Sequence, residues 1–197
     1  MIAMQYFYSH GFHSSRDSQA YKRLCCGLDI EPQQLVYDNG ADFYTNLYSC
    51  KSQLQNCIES NMPFGFIGNS LGAFYLWQLT LFAPTLSIPT PHTLILFNPV
   101  LEPLVQLKKY INQPQINTTT HQSFTFSYDS WVSYAHSLRM PLAKQIQCIV
   151  CLSLDDELID VQVSKAYWQH YARIVMIEGG HIITDFSPFK QTLAPFL

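Results

Sequence analysis

The feature that most limits how this chain can fold is a rhythm in which short apolar runs are separated by stretches long enough to be helices. An apolar run of roughly four to eight residues has the length of a buried strand. Parallel strands can be joined only by crossovers of about a dozen residues or more, usually helical. The rhythm predicts strands at Ala3–Ser9, Gln34–Tyr37, Phe64–Gly68, Thr93–Asn98, Gln147–Ser153 and Arg173–Glu178. Helices are expected over Asp17–Gly27, Ala41–Asn61, Ser70–Ala83, Val161–Tyr171 and Ile183–Leu197. The expected class is α/β, a mostly parallel six-stranded sheet with helices on both faces. At 197 residues one core suffices, because single domains grow to roughly 250 residues before chains split. Residues 1–197 are therefore read as one domain.

One segment, Leu101–Lys144, breaks the rhythm. A polar run, Asn117-Thr118-Thr119-Thr120, precedes aromatic residues at Phe124, Phe126, Tyr128 and Trp131. The period-two spacing of Phe124, Phe126 and Tyr128 predicts a short hairpin, followed by a helix through Trp131–Leu138. The segment 101–144 reads as an insertion after the fourth strand, either a lid over a site or aromatic packing on the core.

Composition narrows the function classes. The chain is 48% hydrophobic and 13% charged, enough apolar surface to bury a sheet. Its 11 basic residues are scattered and its net charge is -3, so no basic stripe exists to neutralise phosphates, and a nucleic-acid partner is not expected. No apolar run approaches the roughly 18 residues of a membrane span. The first residues, Met1–Phe12, carry no positive charge ahead of their short apolar run and no small-residue cleavage pattern, which predicts a cytoplasmic chain without a signal peptide. Six cysteines are then expected to be reduced. Strand alternation would send Cys148 and Cys151 to opposite faces, whereas Cys50 and Cys57, two helical turns apart, are expected to share a core face.

The strongest chemical signal is Gly68-Asn69-Ser70-Leu71-Gly72, placed between the apolar run Phe64–Ile67 and the helical stretch Ala73–Trp77. A serine projected from a tight strand-to-helix turn presents its hydroxyl to a substrate, while the flanking glycines let the two backbones approach. Among seven histidines, His181 follows Glu178-Gly179-Gly180 after the last expected strand, at the sheet edge where α/β sites lie. It is the candidate base. The acid that orients it should follow the penultimate strand. Asp156 fits best, 25 residues ahead of His181 (181 − 156), with Asp155 as the alternative and Asp160 as a cap for the helix from Val161. The loop Ser9-His10-Gly11-Phe12-His13-Ser14-Ser15 follows the first strand, and its Phe12 N–H, with that of Leu71, is the candidate oxyanion donor pair. His10 is expected to hold this loop through hydrogen bonds. His10 and His13 lack a third ligand at useful spacing, so no metal is expected.

Taken in order, Ser9–Ser15, Gly68–Gly72, Phe97-Asn98-Pro99, Asp156-Glu157 and Ile177-Glu178-Gly179-Gly180-His181 resemble the small bacterial YqiA-like esterases, a cap-poor branch of the α/β-hydrolases, over nearly the whole chain. The resemblance implies an α/β-hydrolase fold with Ser70 as nucleophile, Asp156 as acid and His181 as base. Three positions depart from that family: Asp155 replaces a glycine, Glu102 stands where an arginine is usual, and the asparagine between the paired glycines and the histidine is missing. The expected substrate is a short-chain acyl ester, with an acyl thioester as the alternative and no cofactor. A reading from another class is a binding protein that keeps the fold without the chemistry.

Overall fold

The computed structural model describes residues 4–59 and 62–197. Ala3 and Asn61, the outer bounds expected for the first strand and second helix, lie outside the described residues. The strands are β1 (Gln5–Ser9), β2 (Gln33–Gln34), β3 (Phe64–Asn69), β4 (Thr93–Phe97), β5 (Pro114–Ile116), β6 (Ser123–Thr125), β7 (Gln147–Ser153) and β8 (Arg173–Ile177). The helices are α1 (Gln19–Leu28), α2 (Phe43–Cys57), α3 (Leu71–Leu81), α4 (Ala83–Leu86), α5 (Pro103–Gln106), α6 (Tyr128–Val132), α7 (Val161–Trp168) and α8 (Lys190–Leu193). Six strands form one sheet in the order β2-β1-β3-β4-β7-β8, and every pairing within it is parallel.

Alternation of side chains divides the core between the two faces of this sheet. Phe7, Phe66, Leu94, Leu96, Val150 and Leu152 pack with α2 and α3 on one face. Tyr8, Ile67, Ile95, Phe97 and Ile149 pack with α1 and the C-terminal segment on the other. Cys148 falls in the first set and Cys151 in the second, as strand geometry requires. Helix α3 is apolar all round because it is covered all round: Leu71 through Thr80 are buried. Trp77 meets Trp168 of α7 with ring centroids 4.9 Å apart, and Phe74 meets Phe43 of α2 at 6.0 Å.

Side-chain caps set where α1, α2 and α7 begin. Ser18 Oγ accepts from Tyr21 N at the start of α1, Asp42 Oδ1 accepts from Thr45 N at the start of α2, and Asp160 Oδ1 accepts from Gln162 N and Val163 N at the start of α7. Asp160 is thus a cap, as its position suggested.

Four sequence expectations need correction. The second strand is two residues long because Val36 leaves the sheet, its N–H donating to Gln53 Oε1 and its carbonyl accepting from Gln53 Nε2. Cys57 is exposed while Cys50 is buried; Leu54 is the last buried side chain of α2, and Cys57 ends the helix beyond it. Ile183–Leu197 is not one helix but the short α8 between two 3-10 turns at Ser187–Phe189 and Ala194–Phe196, because Pro188 and Pro195 lack the N–H that a continuous helix would use. The insertion has its hairpin in β5 and β6, but Tyr128 opens α6 rather than extending a strand, since Ser127 Oγ accepts from Ser130 N and caps the helix there. The helical path then ends at His136.

Glycine is required at position 72. A Cβ there would run into the Ser9 and His10 carbonyl oxygens where α3 crosses the end of β1. Gly72→Ala is expected to lower the free energy of unfolding by about 1–3 kcal/mol, read as a shifted urea midpoint, whereas Ala substitution at exposed Cys57 should leave that midpoint nearly unchanged.

Candidate active site

The C-terminal ends of β1, β3, β4, β7 and β8 lie along one edge of the sheet. The chain steps outward from β1 to β2 and then returns to β3 on the opposite side of β1. That reversal of strand order opens a crevice between the loops after β1 and β3. Ser70 follows β3 directly, at φ 55° and ψ −119°, a left-handed conformation that costs a non-glycine residue about 1–3 kcal/mol. It is held there by backbone bonds: Ser70 N donates to Phe97 O at 2.9 Å, and Ser70 O accepts from Phe74 N and Val100 N at 3.2 Å each. Gly68 permits the contact behind the turn, since a Cβ on it would sit 2.5 Å from the Ala73 Cα. A serine at a helix start ordinarily caps the first turn with its side chain. Ser70 makes no such bond, and its Oγ is left for another partner.

That partner is His181, whose Nε2 lies 2.8 Å from Ser70 Oγ. Its Nδ1 lies 2.8 Å from Asp156 Oδ2. A carboxylate can only accept, so Nδ1–H donates to Asp156 and the Nε2 lone pair faces the serine hydroxyl. The Asp156 side chain is 1% exposed, and its other oxygen accepts from Leu158 N and Ile159 N at 2.8 Å each. Asp155, the alternative acid, is exposed and reaches the histidine loop only through its backbone, donating from N to Gly179 O at 3.1 Å. The structure brings Ser70, His181 and Asp156 together and leaves Asp155 outside.

Two residues that sequence reasoning quoted without a role complete the setting of His181. Glu157 Oε2 accepts from His181 N at 2.9 Å, and this bond holds the Glu157 carboxyl below its usual range. Buried Asn98, at φ 43°, donates from Nδ2 to His181 O at 3.1 Å and to Ser153 Oγ at 2.8 Å, while its Oδ1 accepts from Ser153 N at 2.8 Å. One amide therefore ties the ends of β4 and β7 to the histidine loop. An asparagine just past a buried apolar strand is the signal that could have marked it, because asparagine tolerates positive φ.

The loop after β1 closes the other side. Gly11 lies against the turn, where a Cβ would be 3.4 Å from Ser70 Cβ. Among the described residues, neither Phe12 N nor Leu71 N donates to a protein acceptor. His10 is buried, donates from Nδ1 to Gly11 O at 2.9 Å, and stacks on Tyr37 with centroids 4.3 Å apart. Burial pushes its pKa down to about 4, so the ring is neutral near pH 7. His13 points into the insertion, its Nε2–H donating to Gln115 Oε1 at 2.8 Å, and burial lowers its pKa as well.

Ser70 stands between two cavities. One, of about 240 Å³, has mostly apolar walls, with Phe12, Val100, Leu107, Tyr110, Ile159 and Ile182 among them. The Leu71 side chain is fully buried, so only its backbone N–H faces the site. The other, of about 530 Å³, is more polar and includes Asp17, Gln19, Lys22, Arg23 and His121. Among the described residues no group of three or more His, Cys, Asp or Glu side chains gathers to hold a metal ion, and no helix is long and apolar enough to cross a membrane.

Comparison with known proteins places this geometry in context. The family model described as Uncharacterised protein family (UPF0227) matches residues 5–197. No curated protein gives a significant match. Among solved structures, Est1E from Butyrivibrio proteoclasticus superposes with a TM-score of 0.70 at 11% identity, covering 98% of this chain and 86% of that one. The alpha/beta hydrolase domain-containing protein 10 from mouse gives 0.68 at 13%, covering 98% and 87%. The esterase domain from a Rhodothermus marinus protein gives 0.66 at 13%, covering 98% and 85%. At such identities the likeness establishes the fold, which is that of the α/β-hydrolases.

The depressed His10 pKa sets a pH dependence of stability. The unfolded imidazole takes up its proton near pH 6.5, whereas the folded ring stays neutral down to about pH 4. Between these values the unfolded state binds more protons, so stability falls as the pH drops, by roughly 3 kcal/mol at most. Urea unfolding at pH 7 and pH 4.5 should show this loss in the wild type and a smaller one in His10→Gln.

Proposed function

The chain belongs to the uncharacterised family UPF0227, and on that premise we propose that it is a serine hydrolase cleaving short-chain carboxylic esters. The observation that carries the reading is the relay of two 2.8 Å hydrogen bonds from Ser70 Oγ through the His181 ring to Asp156. In this mechanism Ser70 Oγ attacks the acyl carbonyl while its proton passes to His181 Nε2. The buried Asp156 carboxylate stabilises the imidazolium through Nδ1–H. Phe12 N–H and Leu71 N–H, which lack protein acceptors among the described residues, donate to the tetrahedral oxyanion, each worth about 2.7–4 kcal/mol in the transition state. His181 then protonates the departing alcohol. A water attacks the resulting acyl-serine by the same route in reverse, giving the free acid and restoring Ser70. No cofactor enters these steps.

The apolar cavity of about 240 Å³ beside Ser70 supports a small acyl group there, with the leaving group in the polar cavity opposite. The basic side chains of that second cavity, Lys22 and Arg23, favour one further reading of the leaving group: an acyl thioester whose thiol portion carries phosphate. A cytoplasmic site of action belongs to the same proposal, in keeping with six free thiols.

A fluorophosphonate probe is expected to label wild type at Ser70 and to leave Ser70→Ala unlabelled. Folded wild type that resists the probe would point to a non-catalytic protein on this fold. Asp156→Asn should lower kcat on p-nitrophenyl butyrate by about a hundredfold or more, while Asp155→Asn stays within a few fold of wild type. The reverse order of these two variants would move the acid to Asp155.

A further inference from the structure

The polar run Asn117–Thr120 has no part in the proposed chemistry, yet it touches the loop that supplies an oxyanion donor. The loop is conformationally demanding: His13 sits at φ 61°, and no strand or helix satisfies its backbone groups. Those groups are taken by side chains and backbone from distant segments. His13 N donates to Asn39 Oδ1 at 2.9 Å. His13 O accepts from Thr118 N at 2.7 Å and from Thr118 Oγ1 at 2.9 Å. Ser14 O accepts from both Asn39 Nδ2 and Asn117 Nδ2, at 2.8 and 2.9 Å. The rings are gripped from the same side, with Phe12 within 5.2–5.6 Å of Tyr110, Phe124 and Phe126, all in the insertion.

Asn117 is the joint between the two parts. Its Oδ1 accepts from Thr119 N and Thr120 N at 2.9 and 3.0 Å, folding the turn, while its Nδ2 crosses to Ser14 O. Asn117 and Asn39 are both buried, where an amide left without a partner is destabilising.

We propose that the insertion is a fixed brace for the oxyanion loop and that Asn117 is its positioning residue, an inference that rests on the serine-hydrolase reading above. A lid that swung away would have to break the Thr118 and Asn117 bonds and uncover Phe12. Held in place, the brace sets Phe12 N–H where the oxyanion forms, so loss of the Asn117 bond, made by a residue that lines neither cavity, acts chiefly on the transition state.

The two ends of the Asn117 amide can be separated by substitution. Asn117→Asp keeps the acceptor that folds the turn and removes the donor to Ser14 O; Asn117→Ala removes both. On p-nitrophenyl butyrate, Asn117→Asp is expected to lower kcat about ten- to a hundredfold, with KM within twofold of wild type and a urea midpoint lowered by the loss of one buried bond but still that of a folded protein. Thr118→Val, which deletes one bond to His13 O and keeps the backbone one, should lower kcat by a few fold and serves if the Asn117 variants fail to fold. Wild-type kcat in folded Asn117→Asp, or in folded Thr118→Val where the former does not fold, overturns the brace alone. Wild type that neither turns over the ester nor takes the fluorophosphonate probe at Ser70 overturns the hydrolase reading and the brace with it.

Discussion

The close approach of β3, α3 and the end of β1 around Ser70 is the constraint on which the rest of the site depends. A left-handed serine is strained, and a buried helix beginning at the next residue allows no relaxation. The turn persists because Gly68 and Gly72 carry no Cβ to meet Ala73, Ser9 or His10, and because Phe97 and Val100 take both backbone groups of Ser70. The strain is offset by burial of α3 from Leu71 to Thr80 among the sheet, α2 and α7. Rigidity here has a chemical meaning, since a hydroxyl released from helix capping is free to face an imidazole.

The setting of His181 follows a different principle. Its loop is short and glycine-rich, and a Cβ on Gly179, at φ 107°, would meet nothing within 4 Å. Local structure does not hold the ring. Three side chains from elsewhere do: Asp156 on Nδ1, Glu157 on the backbone N–H, and Asn98 on the carbonyl. Each is a charge-assisted or buried hydrogen bond, the kind whose loss leaves an unmet partner. A glycine-rich loop is thereby given one orientation by groups anchored at the ends of β4 and β7.

Much of this was legible before any coordinates. Buried parallel strands announce themselves as apolar runs because both of their faces are covered, so β1, β3, β4, β7 and β8 were found within a residue or two. The short β2 was overestimated because Leu35 and Tyr37 are apolar for the sake of the core, while Gln53 satisfies Val36 in place of a neighbouring strand. The C-terminal segment misled for the opposite reason: its Phe186, Phe189 and Leu193 are core residues, spaced for a helix that two prolines interrupt. At the site, Gly68–Gly72 and His181 were found by local pattern. The choice between Asp155 and Asp156 was not decided by pattern, because neighbouring carboxylates differ only in the direction their side chains take after the strand ends.

The class of fold and the nucleophile and histidine at the sheet edge can be read from the chain, because apolar periodicity and glycine placement act through a few neighbouring residues. Which carboxylate faces the imidazole, that Asn98 and Glu157 hold its loop, and that Asn117 reaches the loop after β1 from about a hundred residues away emerge only in the folded chain. Such contacts depend on the mutual placement of separate strand ends, a property of the packed sheet that no short stretch of chain encodes.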